Sequence, residues 1–246
     1  MKKNKKVIIT TSWDDGHELD LKLAELLRKY KIPATFYIPL NSKKQKIISI
    51  NDILKLNKTF EIGSHTKTHL NLAKATSNQA IKDVLGGKEG LEEILQHKVS
   101  MFSYPFGSYS KEVISIVKSA GFVGARNTKI FCTNFTKNKF EIGTTVHASD
   151  HPFSFYFQQI LGANISLFLH LLSKGALQDW ENTSNESLKY VVKQGGIWHL
   201  WGHSWEIERN NDWKKLERVF QNISQVKQKN PEIALLTNSG LIRTIM

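Results

Sequence analysis

The sequence predicts an α/β fold, a distorted (β/α) barrel with about seven parallel strands. Its 246 residues, 40% of them hydrophobic, are enough to bury a sizeable core. Short apolar runs rich in β-branched residues alternate with segments of helical periodicity, which is typical of a parallel sheet. Neither an internal repeat nor a low-complexity linker interrupts this alternation. We therefore expect one domain over residues 1–246.

Seven apolar runs are predicted to be strands, because they are short and rich in Val, Ile and aromatic residues. In chain order they cover residues 7–11, 34–38, 60–63, 101–104, 122–125, 141–146 and 197–201.

Five helices are predicted from apolar periodicity and from capping residues at the segment ends. They cover residues 20–30, 77–96, 110–120, 184–194 and 211–228. Gly86 and Gly87 are expected to weaken or break the second helix. The apolar segment 153–172 is interrupted by Gln, Asn and His, which favours a buried or lid-forming helix over a transmembrane one.

Polar or charged residues follow several predicted strands at the point where each strand ends. In a (β/α) barrel these ends converge on one face, where catalysis is normally found. The residues are Asp14 and Asp15 after the first strand, His65 after the third, Pro105-Phe106-Gly107 after the fourth, Arg126 after the fifth and His203 after the seventh.

Two adjacent carboxylates and a pair of histidines suggest a metal site. Asp14 and Asp15 point in different directions at a strand end, so one can bind a metal while the other faces a substrate. His65 and His69 have the four-residue spacing that brings two rings to one side. One carboxylate and two imidazoles with open positions are typical of a catalytic zinc or similar divalent ion.

These motifs together resemble the polysaccharide deacetylases of carbohydrate esterase family four, also called the NodB-homology domain. The resemblance spans roughly residues 7 to 205. Ser12-Trp13-Asp14-Asp15-Gly16 resembles the first family motif, His65-Thr66-Lys67-Thr68-His69 the second, Ser103-Tyr104-Pro105-Phe106-Gly107 the third and Leu200-Trp201-Gly202-His203 the fifth.

The resemblance implies a catalytic domain that removes an N-acetyl group from an N-acetylhexosamine-containing saccharide or sugar precursor. The cofactor it implies is a divalent metal, with Zn²⁺ favoured and Co²⁺ or another ion as alternatives. It implies Asp14 as the base, Asp15, His65 and His69 as metal ligands, the Phe106 backbone N–H in the oxyanion hole, and His203 as the general acid. Trp201 is a candidate for stacking on a sugar ring, as is Trp205, whereas Trp198 is expected to pack in the core.

Two motifs depart from the family pattern. The third-motif arginine that pairs with the catalytic aspartate is Ser103 here, and Arg126 after the next strand is the candidate replacement. The fourth motif survives only as Asp179-Trp180, so Asp179 and Asp150 compete as the carboxylate that orients the acid histidine. His199 is a rival for the acid role, and His203 is favoured because it lies nearer the catalytic end of its strand.

The formal net charge is +12, from 34 Lys and Arg against 22 Asp and Glu. This excess favours anionic partners such as phosphates, acidic glycans or a membrane surface. Arginines are few and the lysines scattered, so we expect no nucleic-acid partner. The lone Cys132, interpreted as an inert packed thiol, excludes an internal disulfide framework.

No export signal or transmembrane segment is expected, because the apolar stretch behind the basic start 1–6 is only six residues long. We therefore expect a cytoplasmic protein acting on a precursor such as a nucleotide sugar, a lipid-linked saccharide or a small glycoside. The oligomeric state is not predicted. Two other functions stay open: hydrolysis of another non-peptide C–N bond, as in a cyclic amide or formamide, and catalytically silent carbohydrate binding.

Overall fold

The computed structural model describes residues 5–42, 46–135, 138–160 and 163–245. Residues 1–4, most of the basic start, lie outside this part of the chain. Within the described ranges, no helix combines the length and the apolar character needed to cross a membrane.

The predicted fold class is confirmed, since the strands form one curled parallel sheet with helices around it. The strands are β1 (Val7–Asp14), β2 (Thr35–Ile38), β3 (Glu61–Ser64), β4 (Met101–Ser103), β5 (Gly124–Arg126), β6 (Val146–His147), β7 (Gly196–Gly202) and β8 (Ala234–Leu235). Their order is β5-β4-β3-β2-β1-β7-β6, and β8 pairs with the first half of β1. The first strand is longer than predicted, so that Asp14 belongs to the strand itself.

The segment before β6 joins the two sides of the sheet, where a strand over 141–146 was predicted. The Ile142 N–H donates to Ala125 O of β5 (3.0 Å), and the Thr145 N–H donates to His199 O of β7 (2.8 Å). Because the segment turns from one neighbour to the other within three residues, only Val146–His147 forms a regular strand. This irregular join distorts the barrel.

The helices are α1 (Asp20–Lys29), α2 (Ile50–Asn57), α3 (Ser77–Leu95), α4 (Lys111–Ser119), α5 (Phe153–Gln159), α6 (Ile165–Ser173), α7 (Trp180–Gln194), α8 (Ser204–Arg209), α9 (Trp213–Lys229) and α10 (Asn238–Ile245). All five predicted helices are present with shifted ends. The single helix expected over 153–172 is two helices, α5 and α6. A new helix starts at α6 because the Asn164 side chain accepts the Leu167 N–H and caps its first turn.

The prediction that Gly86 and Gly87 interrupt α3 is wrong, because the helix is continuous through both. A Cβ atom at Gly87 would lie 2.4 Å from the carbonyl carbon of Thr66. The missing side chain therefore lets α3 pack directly on the backbone of the loop between β3 and His69. Glycine in a helix has a conformational-entropy cost, which the contact between α3 and this loop offsets.

Side chains on β1 alternate between the barrel interior and the surrounding helices. Ile8 lies in an interior apolar cluster that α10 covers, whereas Ile9 packs in the larger cluster of sheet and helices. The inward positions that follow are Thr10, Ser12 and Asp14, all buried. The interior thus changes from apolar to polar along the strand, and Asp14 lies at its open carboxyl end.

Candidate active site

A cavity of about 580 Å³ opens at the carboxyl ends of the strands and brings most of the predicted site residues together. The predicted residues that line it are Asp14, Asp15, His65, His69, Phe106, Trp201 and His203. Arg126 is fully buried and reaches Asp14 from beside the cavity. Further lining residues are Ser42, Thr128, His147, His151, Phe155, Gln159 and Trp205.

Asp15, His65 and His69 form a candidate metal centre. One carboxylate oxygen and two ring nitrogens from these residues lie within 4.8 Å of one another. Asp15 Oδ1 lies 3.7 Å from His65 Nε2 and 3.2 Å from His69 Nε2. Burial acts to raise the pKa of Asp15, but the surrounding histidines hold it well below its usual range. The carboxylate is therefore ionised, as a metal ligand must be.

The orientation of His65 suits a metal ligand. Its Nδ1 lies 2.8 Å from the carbonyl oxygen of Ser103. Because a carbonyl oxygen only accepts, Nδ1 carries the proton and the Nε2 lone pair faces Asp15. Burial lowers the pKa of His65 to about 4, so the ring is neutral at pH 7. A neutral imidazole with a free Nε2 lone pair is the form that binds a divalent ion.

Strained backbone occurs in both segments that carry these ligands. Asp15 has φ +81°, Thr66 φ +68° and His69 φ +57°, all in the left-handed region that residues with a side chain rarely adopt. Strained backbone of this kind persists only where the surrounding structure over-determines it, which is common at functional sites. The packing of α3 on the Thr66 backbone is one such constraint.

Arg126 and Asp14 form a buried ion pair. Arg126 Nη2 donates to Asp14 Oδ1, and Ser103 Oγ lies 3.4 Å from Asp14 Oδ2. Ser103 and Arg126 are direct register partners on β4 and β5. Arg126 therefore reaches Asp14 from the strand next to the one that carries the family's arginine. Burial acts to raise the pKa of Asp14, but Arg126 together with His65 and His203 outweighs burial and holds this pKa below its ordinary value.

His203 is held by Glu206, one turn into α8. His203 Nδ1 lies 2.6 Å from Glu206 Oε2, and His203 Nε2 lies 3.8 Å from Asp15 Oδ2. The Nδ1–H therefore donates to Glu206, and Nε2 is directed into the cavity. Burial acts to lower the pKa of His203, but its hydrogen bond to Glu206 and the nearby carboxylates raise this pKa above its ordinary value.

The prediction that Asp150 or Asp179 orients His203 is wrong, because neither carboxylate contacts this histidine. Asp150 accepts the Trp180 N–H (2.7 Å), and Asp179 caps α7. Both also lie near Lys215, at 3.4 and 3.2 Å, in a structural network away from the cavity. Glu206 was missed because its spacing to His203 is a helical one, and the short helix α8 was not predicted.

A second pair of histidines extends this network and was also missed. His147 Nε2 lies 3.0 Å from the same Glu206 Oε2, and His147 Nδ1 lies 2.7 Å from His151 Nε2. The His147 ring stacks on Trp201, with centroids 4.0 Å apart. The sequence signal was the pair His147 and His151 near the end of the sixth predicted strand. It places two more imidazoles on the cavity wall.

His199 does not reach the cavity. It is fully buried, with Nε2 2.8 Å from Ser12 Oγ, and burial lowers its pKa to about 3. A ring that is neutral and enclosed cannot donate a proton to a ligand in the cavity. The structure therefore favours His203 over His199 as the candidate acid.

Of the aromatic residues considered for substrate contact, some line the cavity wall and one packs in the protein core. Phe106 is 51% exposed, and its ring lies 4.7 Å from that of His69. Trp205 Nε1 donates to Asp15 Oδ2 (3.0 Å), which leaves its ring on the cavity wall. Trp201 is 6% exposed and lines the cavity beside His147. The expectation that Trp198 packs in the core is confirmed by its complete burial and its hydrogen bond to Ser187.

The cysteine interpretation agrees with the structure. Burial raises the pKa of Cys132 to about 11, so the thiol is protonated and weakly nucleophilic at neutral pH.

Comparison with known proteins supports the family suggested by the motifs. A family model described as polysaccharide deacetylase matches residues 1–125. YxkH of Bacillus subtilis, provisionally named a polysaccharide deacetylase, is 25% identical over 124 residues, which are 49% of this chain and 44% of YxkH. The chain spans less than half the length of the curated relatives it matches.

Solved structures share the whole fold. A provisionally named polysaccharide deacetylase from Mycobacterium smegmatis superposes with a TM-score of 0.69 at 13% identity, over 100% of this chain and 92% of that one. A family 4 acetyl xylan esterase from Clostridium thermocellum, in complex with a cobalt ion, gives 0.60 at 16% identity, over 96% and 91% of the two chains. The family model covers half of the sequence, and the chain belongs to the polysaccharide deacetylase family.

Proposed function

We propose that the protein is a metal-dependent hydrolase that removes an N-acetyl group from an N-acetylated saccharide or sugar precursor. One observation carries this proposal: an Asp-His-His triad, the Asp14–Arg126 pair and the Glu206-held His203 meet at one cavity. A metal site between a candidate base and a candidate acid is the arrangement that amide hydrolysis needs.

The residues present fit a divalent ion. The donor set is one carboxylate oxygen and two imidazole nitrogens, and His65 is fixed by its hydrogen bond to Ser103. An ion held by Asp15, His65 and His69 would supply the positive charge that polarises a water molecule and the acetyl carbonyl. We propose Zn²⁺ as this ion, with Co²⁺ as an alternative for the same donors.

Asp14 is the proposed general base. Arg126 favours the ionised carboxylate, so Asp14 can accept the proton of the attacking water at neutral pH. Bond formation between that water and the acetyl carbon puts negative charge on the carbonyl oxygen. We assign the Phe106 backbone N–H to this oxygen, because Phe106 lies on the cavity wall beside His69.

His203 is the proposed general acid. An amide nitrogen leaves only when it is protonated, and the raised pKa of His203 favours the imidazolium that can donate this proton. Its Nε2 is directed into the cavity while Nδ1–H is held by Glu206. Transfer of the proton breaks the C–N bond and yields acetate and an amine.

We expect acetate release from N-acetylated saccharides that stops on chelation and returns with zinc or cobalt. Asp15→Ala should weaken metal binding, measured by calorimetry, by more than the roughly 10–100-fold that loss of a residue hydrogen-bonded to a metal ligand costs. Asp52→Ala, on the exposed face of α2, is the matched control and should bind metal normally.

The substrate panel includes a cyclic amide and a formamide, whose preferred turnover would replace the deacetylase proposal with another C–N hydrolase. If the protein binds glycans but releases no acetate with any metal tested, it is a catalytically silent carbohydrate-binding protein instead.

Glu206→Gln should shift the pH profile of kcat/KM. The acid must be protonated, so activity falls as pH rises through the pKa of His203. Removal of the Glu206 charge lowers that pKa, and we expect the alkaline limb to move down by about one pH unit or more. Glu208→Gln, on the same helix and paired with Lys22 at the surface, should leave the limb in place. An unmoved limb in both variants would contradict the assignment of Glu206.

A further inference from the structure

The helices α5 and α6 expose an apolar face beside the active-site cavity. Five large side chains on them are between 44% and 56% exposed, and we call them the α5–α6 face. They are Phe153 (47%), Phe157 (54%), Ile165 (50%), Leu169 (56%) and Leu172 (44%). Their spacings within each helix, four residues and then four and three, place them on one side of that helix.

The two helices are joined into one surface. The Phe157 ring lies 5.0 Å from that of Phe153 and 5.8 Å from that of Phe168 on α6. Phe168 belongs to the buried side of α6, which packs on the protein. Each helix therefore has one face against the protein and one apolar face outward.

The α5 helix separates this face from the cavity. Phe155 and Gln159, on the other side of α5, line the cavity wall, and the Phe155 ring stacks on His151 at 3.8 Å. The α5–α6 face therefore lies about one helix width from the cavity wall. The sequence from 151 to 173 contains no Asp, Glu, Lys or Arg.

The distribution of charge indicates what covers this face. The chain carries a net charge of +12, yet the described residues that line the cavity include neither Lys nor Arg. Most of the basic residues therefore lie outside the cavity, and the net charge that they give the chain attracts an anionic partner. Exposed apolar side chains on a helix can enter the boundary of a lipid bilayer, and a positively charged protein is attracted to that boundary when the lipids are anionic.

We propose that the α5–α6 face binds the surface of an anionic lipid bilayer and holds the cavity mouth against it. The apolar side chains enter the boundary between headgroups and acyl chains, while lysines outside the face contact the lipid headgroups. Together with the proposed deacetylase function, on which this part rests, the substrate class is an acetylated saccharide attached to a lipid.

Co-sedimentation with vesicles tests the proposal. The full chain should bind vesicles of phosphatidylcholine with phosphatidylglycerol more tightly than phosphatidylcholine alone, and high salt should weaken the binding. Phe157→Ser with Leu169→Ser should weaken it by about tenfold or more, from the lost apolar area. Ile50→Ser with Leu54→Ser removes comparably exposed side chains from α2 and should bind as the wild type does.

Two further measurements separate the alternatives. Thermal unfolding checks that both double variants fold, and acetate release from a soluble saccharide should be unchanged in the α5–α6 variant. Asp14→Asn should keep vesicle binding, so failure of the catalytic proposal is distinguishable from failure of this one. The proposal would be overturned if the wild type did not bind vesicles, or if the α2 control lost as much vesicle binding as the α5–α6 variant. It would also be overturned if the wild type were a dimer and the α5–α6 variant a monomer.

Discussion

Asp14→Asn should lower kcat for acetate release by about 10³-fold or more, in the range that loss of a general base costs. Asparagine keeps the shape of the side chain, so it can still lie beside Arg126 and Ser103 at the end of β1. What it loses is the negative charge that accepts a proton from water. Steady-state kinetics on a soluble N-acetylated saccharide measure this loss.

The informative control is metal affinity in the same variant. Asp14 Oδ2 lies 4.0 Å from His65 Nε2, whereas Asp15 supplies the oxygen of the candidate metal triad. We therefore expect zinc or cobalt to bind Asp14→Asn nearly as it binds the wild type, and to bind Asp15→Ala poorly. Loss of metal from Asp14→Asn, or turnover close to wild type, would refute the separate roles of the two neighbouring carboxylates.

Arg126→Ser should lower both stability and activity. It leaves the buried Asp14 carboxylate without its cation, and breaking one partner of a buried ion pair typically costs 3–5 kcal/mol. Denaturant unfolding measures this change. Without Arg126, burial raises the pKa of Asp14, so a smaller fraction is ionised and the acid limb of the pH–rate profile moves to higher pH.

The double variant Ser103→Arg with Arg126→Ser is the sharpest test of this pair. Ser103 and Arg126 are register partners on neighbouring strands, and the Ser103 hydroxyl already lies 3.4 Å from Asp14. Moving the guanidinium to β4 should restore part of the stability and activity lost in Arg126→Ser. No recovery in a folded double variant would show that a positive charge on β4 is not enough, and that Asp14 needs the guanidinium in the position that Arg126 gives it on β5.

Local sequence patterns predicted the inner part of the site well. The run ending in Asp14 and Asp15 predicted a strand end, because β-branched residues followed by a turn signal leave few other structures. Parallel strands then require such ends to meet at one edge, which is why His65 and His203, far apart in sequence, line the same cavity. The resemblance to the deacetylases added proposed roles for these residues.

The partners of these residues could not be predicted in the same way. Glu206 is three positions from His203, but no pattern in the sequence shows that a short helix turns its carboxylate back onto the ring. The sequence could not choose between Asp179, in the remnant of the fourth motif, and Asp150, after the sixth predicted strand; both lie near Lys215 instead. Hydrogen bonding depends on distances of tenths of an ångström, which residue spacing does not determine.

The sequence by itself determined the class of fold, the strand ends that carry the site, and the two carboxylates and histidines that mark a candidate metal centre. Only the tertiary structure decided which groups pair: Arg126 with Asp14 across the register of β4 and β5, and Glu206 with His203 and His147. The physical reason is that the hydrophobic periodicity that predicts helices and strands depends on neighbours along the chain. The charge state of a buried group depends on what surrounds it in space.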